Sequence, residues 1–288
     1  MPKEKSPSLP HEGIFAVESF KSAGLTPLTA RETKEFLARA GEPSETREKF
    51  NEIIERERTK LRDFFGADME VPPIPAEVTQ EKYEKWKEMK LELHYIPAAD
   101  MTEDKQYPGW KKKPTSNINL FTATKDAQNK LALDTLKLNA AWVLVDTRDK
   151  PAYNDGEQEY PEDTKMGAVL ADLRTAGTVS NFKKKDSRFN ISWEELHQED
   201  FKKKLAVLFD VKPEAVRLPH AIEGSFLGNL HHPSWGDTNS WEWYEDSYQG
   251  STHLLGGYSA SGGLSGVSWY DAGGRDVSLG FRPLIVFS

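Results

Sequence analysis

The feature that most constrains this chain lies at its C-terminus, where a glycine-rich stretch ends in one strongly apolar run, "GFRPLIVF". Rich in aliphatic and aromatic residues, Phe281 to Phe287 reads as a buried strand. The residues before it, "LLGGYSASGGLSGVSWYDAGGRDVSLG", build neither an amphipathic helix nor a continuous core. No lysine follows Lys212, and from Gly224 onward the chain holds twelve of its twenty glycines and four of its eight tryptophans. A linker would lack those tryptophans. The pattern describes a loop-rich domain with scattered aromatic core residues, tied off by a final strand.

Composition narrows the partners. The 288 residues, 37% hydrophobic and 29% charged, can bury a real core under a well-solvated surface. A net charge of -8 argues against nucleic acid or an anionic membrane as main partner. The absence of cysteine removes disulfides, thiolate metal sites and cysteine nucleophiles together. "MPKEKSPSLPHEG" has no apolar signal core, and no stretch approaches the length of a membrane span. Neither export by a signal peptide nor membrane insertion is expected. The location is cytoplasmic by default, or at a virion or cell surface by another route.

Residues 1–91 are dense in Glu, Lys and Arg and follow a helical period. In "GLTPLTARETKEFLARAGEP", Thr29 and Glu32 have capping-box spacing, Phe36, Leu37 and Ala40 make a stripe, and Gly41 supplies a stop. "SETREKFNEIIERERTKLRDFFG" sets Phe50, Ile53, Ile54, Leu61, Phe64 and Phe65 on one face, with Gly66 as terminator. "MEVPPIPAEV" reads as a linker, and "TQEKYEKWKEMKLEL" as a third helix carrying Tyr83, Trp86 and Met89. Such helices predict a solvated appendage or an oligomerisation device. Further on, "NAAWVLVDTRDKP" contains a buried strand over Trp142 to Val145, and "MGAVLADLRTAG" a helix capped by Gly177. "ISWEELHQEDFKKKLAVLFDV" is the clearest helix, with Ser192 and Glu195 as a capping box and Ile191 and Leu196 as a hydrophobic staple. "KPEAVRLPHAIEG" predicts a short helix with Pro213 at its first position, then an extended segment.

No assembled catalytic constellation is present. His231 and His232 are adjacent, His220 and His253 lie elsewhere, and no HExxH or His-x-His spacing appears, so no metal site is expected from histidine. Glu242, Glu245 and Asp246 in "WEWYEDSY" are the one acidic cluster that offers oxygen ligands, and a structural calcium is left open there. No other cofactor is expected. "GGLSG" lacks the lysine of a phosphate loop.

From Tyr258 to Ser278 the chain uses Tyr, Ser, Asp, Gly, Ala and Arg, the residues that dominate adaptable binding surfaces. This points to protein recognition as readily as to an idle glycine-rich loop.

The string "VRLPHAIEGSFLGNLHHPSWGDTNSWEW", followed by "LLGG", "GGLSGV" and "GFRPLIVF", resembles the variable proteins of diversity-generating retroelements, most of all those of candidate-phylum bacteria and nanoarchaea. The resemblance covers roughly 92–288 and is most specific over 216–288; residues 1–91 have no counterpart. It implies a C-type lectin fold of the formylglycine-generating-enzyme type, in which the last strand returns to pair near the first. The fold expected is thus α+β: a C-type lectin-like domain over 92–288 with a short mixed sheet, two helices and a loop-rich C-terminal half, after a helical segment over 1–91. The candidate partners of the closing strand are Trp142 to Val145 and "LELHYIP".

The resemblance further implies a diversified region at about 244–288, where adenines of Asn codons are rewritten. Such codons yield Tyr, Ser, Asp, Gly, Ala and Arg but never Lys, Glu, Gln, Met or Trp. The candidate variable positions are Tyr258, Ala260, Ser261, Gly266, Ser268, Tyr270, Asp271, Gly274, Asp276 and Ser278. Trp269 is expected in the scaffold, with Trp241, Trp243, Leu254, Leu255, Leu264 and the "GFRP" turn as unvarying core. Arg282 is expected to be a hydrogen-bond fork to carbonyls or a carboxylate. The implied function is recognition of a macromolecular ligand, protein foremost. The alternatives are a binder of fixed specificity, such as a carbohydrate module, and a formylglycine-generating-type catalyst. The missing cysteines oppose the catalyst, and the missing sugar motifs (Glu-Pro-Asn, Trp-Asn-Asp) oppose the carbohydrate module.

Overall fold

The computed structural model describes residues 44–111, 136–248 and 250–287. The helix expected around Thr29 to Gly41 lies outside these. Helix α1 (Ser44–Phe65) turns its 50/53/61/64 stripe inward: Phe50, Ile53, Leu61 and Phe64 are buried, and Ile54 and Phe65 pack at the margin. Gly66, at φ +72°, ends the helix in a conformation glycine adopts without strain. Helix α2 (Gln80–Glu88) is capped by Thr79, whose hydroxyl accepts from Lys82 N at 3.3 Å. Trp86 of α2 is fully buried, and its Nε1 donates to Phe209 O at 2.6 Å.

Ten strands follow in chain order: β1 (Leu91–Ile96), β2 (Ala99–Asp100), β3 (Lys137–Leu138), β4 (Ala141–Asp146), β5 (Val216–Arg217), β6 (Trp241–Ser247), β7 (Thr252–Gly256), β8 (Val267–Asp271), β9 (Leu279–Gly280) and β10 (Leu284–Phe287). They are joined with helices α3 (Thr164–Thr175), α4 (Trp193–Leu196), α5 (Glu199–Phe209) and α6 (Ala221–Leu230). The first sheet runs β1-β4-β10-β5, all antiparallel; the second runs β8-β7-β6-β9, with β6 and β9 parallel. Strands β2 and β3 form a separate pair. The architecture is therefore α+β. The closing strand sits inside the first sheet, Leu284 opposite Val145 and Phe287 opposite Trp142, and β1 pairs with the far edge of β4. Of the two partners foreseen for it, Trp142 to Val145 is the direct one.

Several expectations need correction. Residues 44–91 are no appendage: α1 and α2 enter one continuous core with both sheets, Phe64 meeting Phe226 of α6 edge-on at 5.0 Å and Trp86 lying 5.6 Å from Phe287. Their apolar faces pack within the chain. The "linker" at 69–78 buries Val71, Ile74 and Val78, and Pro72 O accepts from Trp142 Nε1 at 3.1 Å. The helix expected across Trp193 to Phe209 breaks at Gln198, which is extended at φ -62° and ψ 140°. Its capping box is formed as expected, Glu195 N donating to Ser192 Oγ and Ser192 N to Glu195 Oε2. Among the described residues no helix is long and apolar enough to cross a membrane.

Trp243 and Phe281 mark the centre of the C-terminal half. Trp243 is completely buried, with Nε1 donating to Ile191 O at 2.9 Å, and Phe281 is 1% exposed, edge-on to Phe201 at 5.6 Å. Replacing either by Ala removes a large buried ring, and should lower the unfolding free energy by about 3–5 kcal/mol in urea titrations.

Candidate functional site

The residues singled out near the C-terminus lie along the edge of the second sheet. Strand β7 is one of its two interior strands, with His253, Leu254, Leu255 and Gly256 buried. Strand β8 pairs with it in register, Leu255 opposite Ser268 and His253 opposite Tyr270. With no strand beyond it among the described residues, β8 opens to solvent: only Val267 is buried, Ser268 is half-buried, and Trp269, Tyr270 and Asp271 are exposed. Of three large apolar side chains that stand exposed among the described residues, two are Trp269, at 49%, and Tyr270, at 39%. Trp269 is therefore part of the surface and not of the core, and leans on Tyr248 at 4.8 Å between ring centres. Trp241 is likewise half-buried and stacks on Tyr258 at 4.7 Å, the planes 10° apart. The other core assignments hold: Leu254, Leu255 and Leu264 are buried.

The loop before β8 is a pair of short 3-10 turns, Ser259–Ser261 and Gly263–Ser265. Ala260 is exposed at its tip and Ser261 half-buried beside it. Gly266 does not belong with them. It is buried, and a Cβ placed there would stand 1.7 Å from Ser261 O, closer than any side chain tolerates. Gly266 is a structural requirement of the turn, which no larger residue fits, and so it leaves the candidate set.

Beyond β8 the chain is held from beneath. Arg275 donates to both oxygens of Glu195, Nε at 3.0 Å and Nη2 at 2.9 Å, and Glu194 N donates to Ala272 O. Burial would push the Glu195 carboxyl up, but Arg275 and the Ser192 and Ser180 groups override it and hold it down at about 2. The Asp276 carboxylate accepts from Ser278 N and Oγ at 2.7 and 2.6 Å, and Ser278 O accepts from Trp241 N. Asp276 and Ser278 thus shape the turn into β9. Gly274 shares its space with Tyr270: a Cβ there meets Tyr270 Cε1 at 2.5 Å, so any larger residue must displace that ring. The structure brings Tyr258, Ala260, Ser261, Ser268, Tyr270, Asp271 and Gly274 to the surface, all exposed or half-buried; Asp276 and Ser278 are half-buried as well, with their polar groups tied into the turn.

The acidic cluster does not converge. Glu242 accepts from the Tyr160 hydroxyl and pairs with Arg282, Glu245 contacts His197 and accepts from Leu218 N, and Asp246 contacts His220 and accepts from Ala221 N. Three carboxylates with three sets of partners form no calcium cage. Arg282 fulfils its expected role, donating to Asp146 O and Arg148 O and pairing with Glu242 at 3.0 Å.

A second constellation escaped the sequence reading. Glu57 of α1, His94 of β1, and His231 and His232 after α6 meet behind the first sheet, with Glu92 at the rim. Glu57 is fully buried; its carboxylate contacts His94 Nδ1 at 3.2 Å and accepts from Tyr95 N at 3.1 Å. Burial would raise this acid, yet the neighbouring imidazoles hold it far below the carboxylate range. Burial and the His94 ring push His232 down to about 3, leaving it neutral. Two signals were in the sequence: Glu57 falls on the buried 50/53/57/61/64 stripe, and Glu92 and His94 are two apart on one face of a strand.

Comparison with known proteins adds little. No protein-family model matches the chain, and no curated protein does. Among solved structures, the chain in the "Crystal Structure of CarF" overlays on 69% of this chain and 100% of its own length, with a TM-score of 0.38 and 11% identity. That likeness is too slight to carry an argument.

Gly266 offers a direct check on the division between frame and surface. Gly266→Ala should destabilise the protein by about 1–3 kcal/mol through overpacking, whereas Ser268→Ala, two residues on, should be within about 0.5 kcal/mol of wild type in the same melt.

Proposed function

We propose that this chain is a ligand-binding protein that presents a retroelement-diversified surface on a C-type lectin-like body. The observation that carries the reading is a separation along the sequence. The exposed and half-buried positions between 258 and 274 are bracketed by buried strands, β7 before them and β9 and β10 after them. The last of these is locked between β4 and β5, so the surface is anchored at both ends. Pairing of the final strand beside a strand bonded to β1 is the closure that the lectin-like reading requires.

The ligand class follows from the surface. Trp269, Tyr270 and Tyr258 supply broad aromatic contact, and Ser261, Ser268 and Asp271 supply adjustable hydrogen bonding. This is an open strip that suits a macromolecule, protein foremost. A pre-formed strip loses little conformational entropy on binding. Side chains that face solvent on it can change with the buried frame kept, which separates most of recognition from folding.

The test is made on DNA. The codons for 244–288 are sequenced in many individuals of one population, and the flanking DNA is searched for a near-copy beside a reverse-transcriptase gene. The proposal expects differences confined to adenine positions of that copy and falling at Tyr258, Ala260, Ser261, Ser268, Tyr270, Asp271 and Gly274, with Gly266 and Trp269 constant. An invariant end with no copy would overturn it in favour of a binder of fixed specificity.

A further inference from the structure

We infer that Glu92, His94 and His232 form a binding site for a divalent transition-metal ion of the zinc kind, with Glu57 as the group that orients His94. The three residues come from two elements: Glu92 and His94 share one face of β1, and His232 follows α6. Their ligand atoms lie within 4.8 Å of one another. His94 is 1% exposed; its Nε2 makes no well-directed hydrogen bond and faces Glu92 Oε2 at 3.4 Å, and Nε2 of His232 has no hydrogen-bond partner. A buried imidazole nitrogen without a partner is costly for a fold to maintain, unless something accepts its lone pair.

The geometry selects this set over its neighbour. An imidazole bound in its plane at about 2.0–2.1 Å holds its ring centre about 3 Å from the metal, so two such ligands near the tetrahedral angle have ring centres about 5 Å apart. The rings of His94 and His232 lie 5.6 Å apart at 70°. Those of His94 and His231 are 3.7 Å apart at 30°, nearly stacked, so their in-plane lone pairs run side by side and cannot meet at one ion. The edge of a tetrahedron with such bond lengths is about 3.3–3.4 Å; Glu92 Oε2 stands 3.4 Å from His94 Nε2.

Glu57 is already occupied, by Tyr95 N, Arg56 Nε and His94 Nδ1, and the Lys60 ammonium lies 3.0 Å from His231 Nδ1. A cation on that side would face a cation. On the Glu92 side the same contacts become an asset. A buried carboxylate on Nδ1 of His94 fixes the ring and turns Nε2 outward, the carboxylate–histidine–metal arrangement that supports bound ions. The side chain of Glu92 is 48% exposed and forms the rim of the site, while both imidazole nitrogens lie buried behind it. Two histidines and one carboxylate are a donor set that suits such an ion.

The experiment titrates zinc(II) alone into the full chain by calorimetry, with the fold of each variant checked by its thermal melt. Wild type should take up one zinc per chain. His232→Gln and Glu92→Gln, both at partly exposed positions, should weaken binding about 10-fold or more, and Glu57→Gln roughly 10–100-fold through lost orientation. His231→Gln should bind as wild type does. Absence of stoichiometric uptake by wild type would overturn the assignment. So would a His232→Gln protein that binds as tightly as wild type, or loss of binding in His231→Gln with His232→Gln unaffected.

Discussion

Arg282 holds the C-terminal half together. It stands between the last loop and the last strand, 2% exposed, over the face of Trp235 at 4.0 Å. Its guanidinium donates to the carbonyls of Asp146 and Arg148 at the end of β4 and pairs with Glu242 of β6, so one side chain joins the closing strand to both sheets. Around it Arg188 binds Asp146 and Asp163, the latter through Nε and Nη2 at 2.5 and 2.7 Å. Burial would raise the Asp146 carboxyl, but the Arg188, Arg282 and Arg148 charges prevail and hold it below its ordinary value. A dry cluster of this kind is stable only when complete, because removing one member leaves the others charged and unpaired. It fixes the path of the chain at the point where the irregular segment ends.

The same logic supports the start of that segment. Lys150 is 1% exposed and donates to Ser240 O and Gly257 O, from either side of the β6–β7 hairpin, while burial pushes its amine down to about 8. Gly257 sits at φ +84°, where a Cβ would stand 2.9 Å from Lys150 Nζ. Trp243 pins β6 to Ile191, Lys150 pins the entry at Gly257, Arg275 the middle, and Arg282 the exit. Between these fixed points the side chains of Ala260, Trp269, Tyr270 and Asp271 are exposed.

Much of this was legible in the sequence where local physics decides the outcome. The capping box at Ser192, the stripe of α1, the stops at Gly66 and Gly177, and the buried strands at Trp142 and Leu284 each rest on residues near in the chain. What escaped depends on residues far apart. Val71, Ile74 and Val78 look like a linker because their partners lie on other elements. Glu57 reads as one more acid on a charged helix until His94 and Tyr95 are seen to meet it, 37 and 38 residues away. Gly266 passes every test of composition for a variable position, and fails because Ser261 O fills the space of its Cβ. What a codon can yield places Trp269 in the scaffold but says nothing of where its side chain points, and the ring stands in the open.

The central claim is that the frame folds independently of what its edge displays. It is tested most directly by the thermal melts of a set of variants carrying unrelated small and polar residues at Ala260, Ser268, Tyr270, Asp271 and Gly274 together. The account predicts sharp, cooperative transitions with midpoints within about 2 °C of wild type, equivalent to about 1 kcal/mol for a domain of this size. Broad melts, or midpoints scattered well beyond that range, would show that the edge is part of the core and would contradict it.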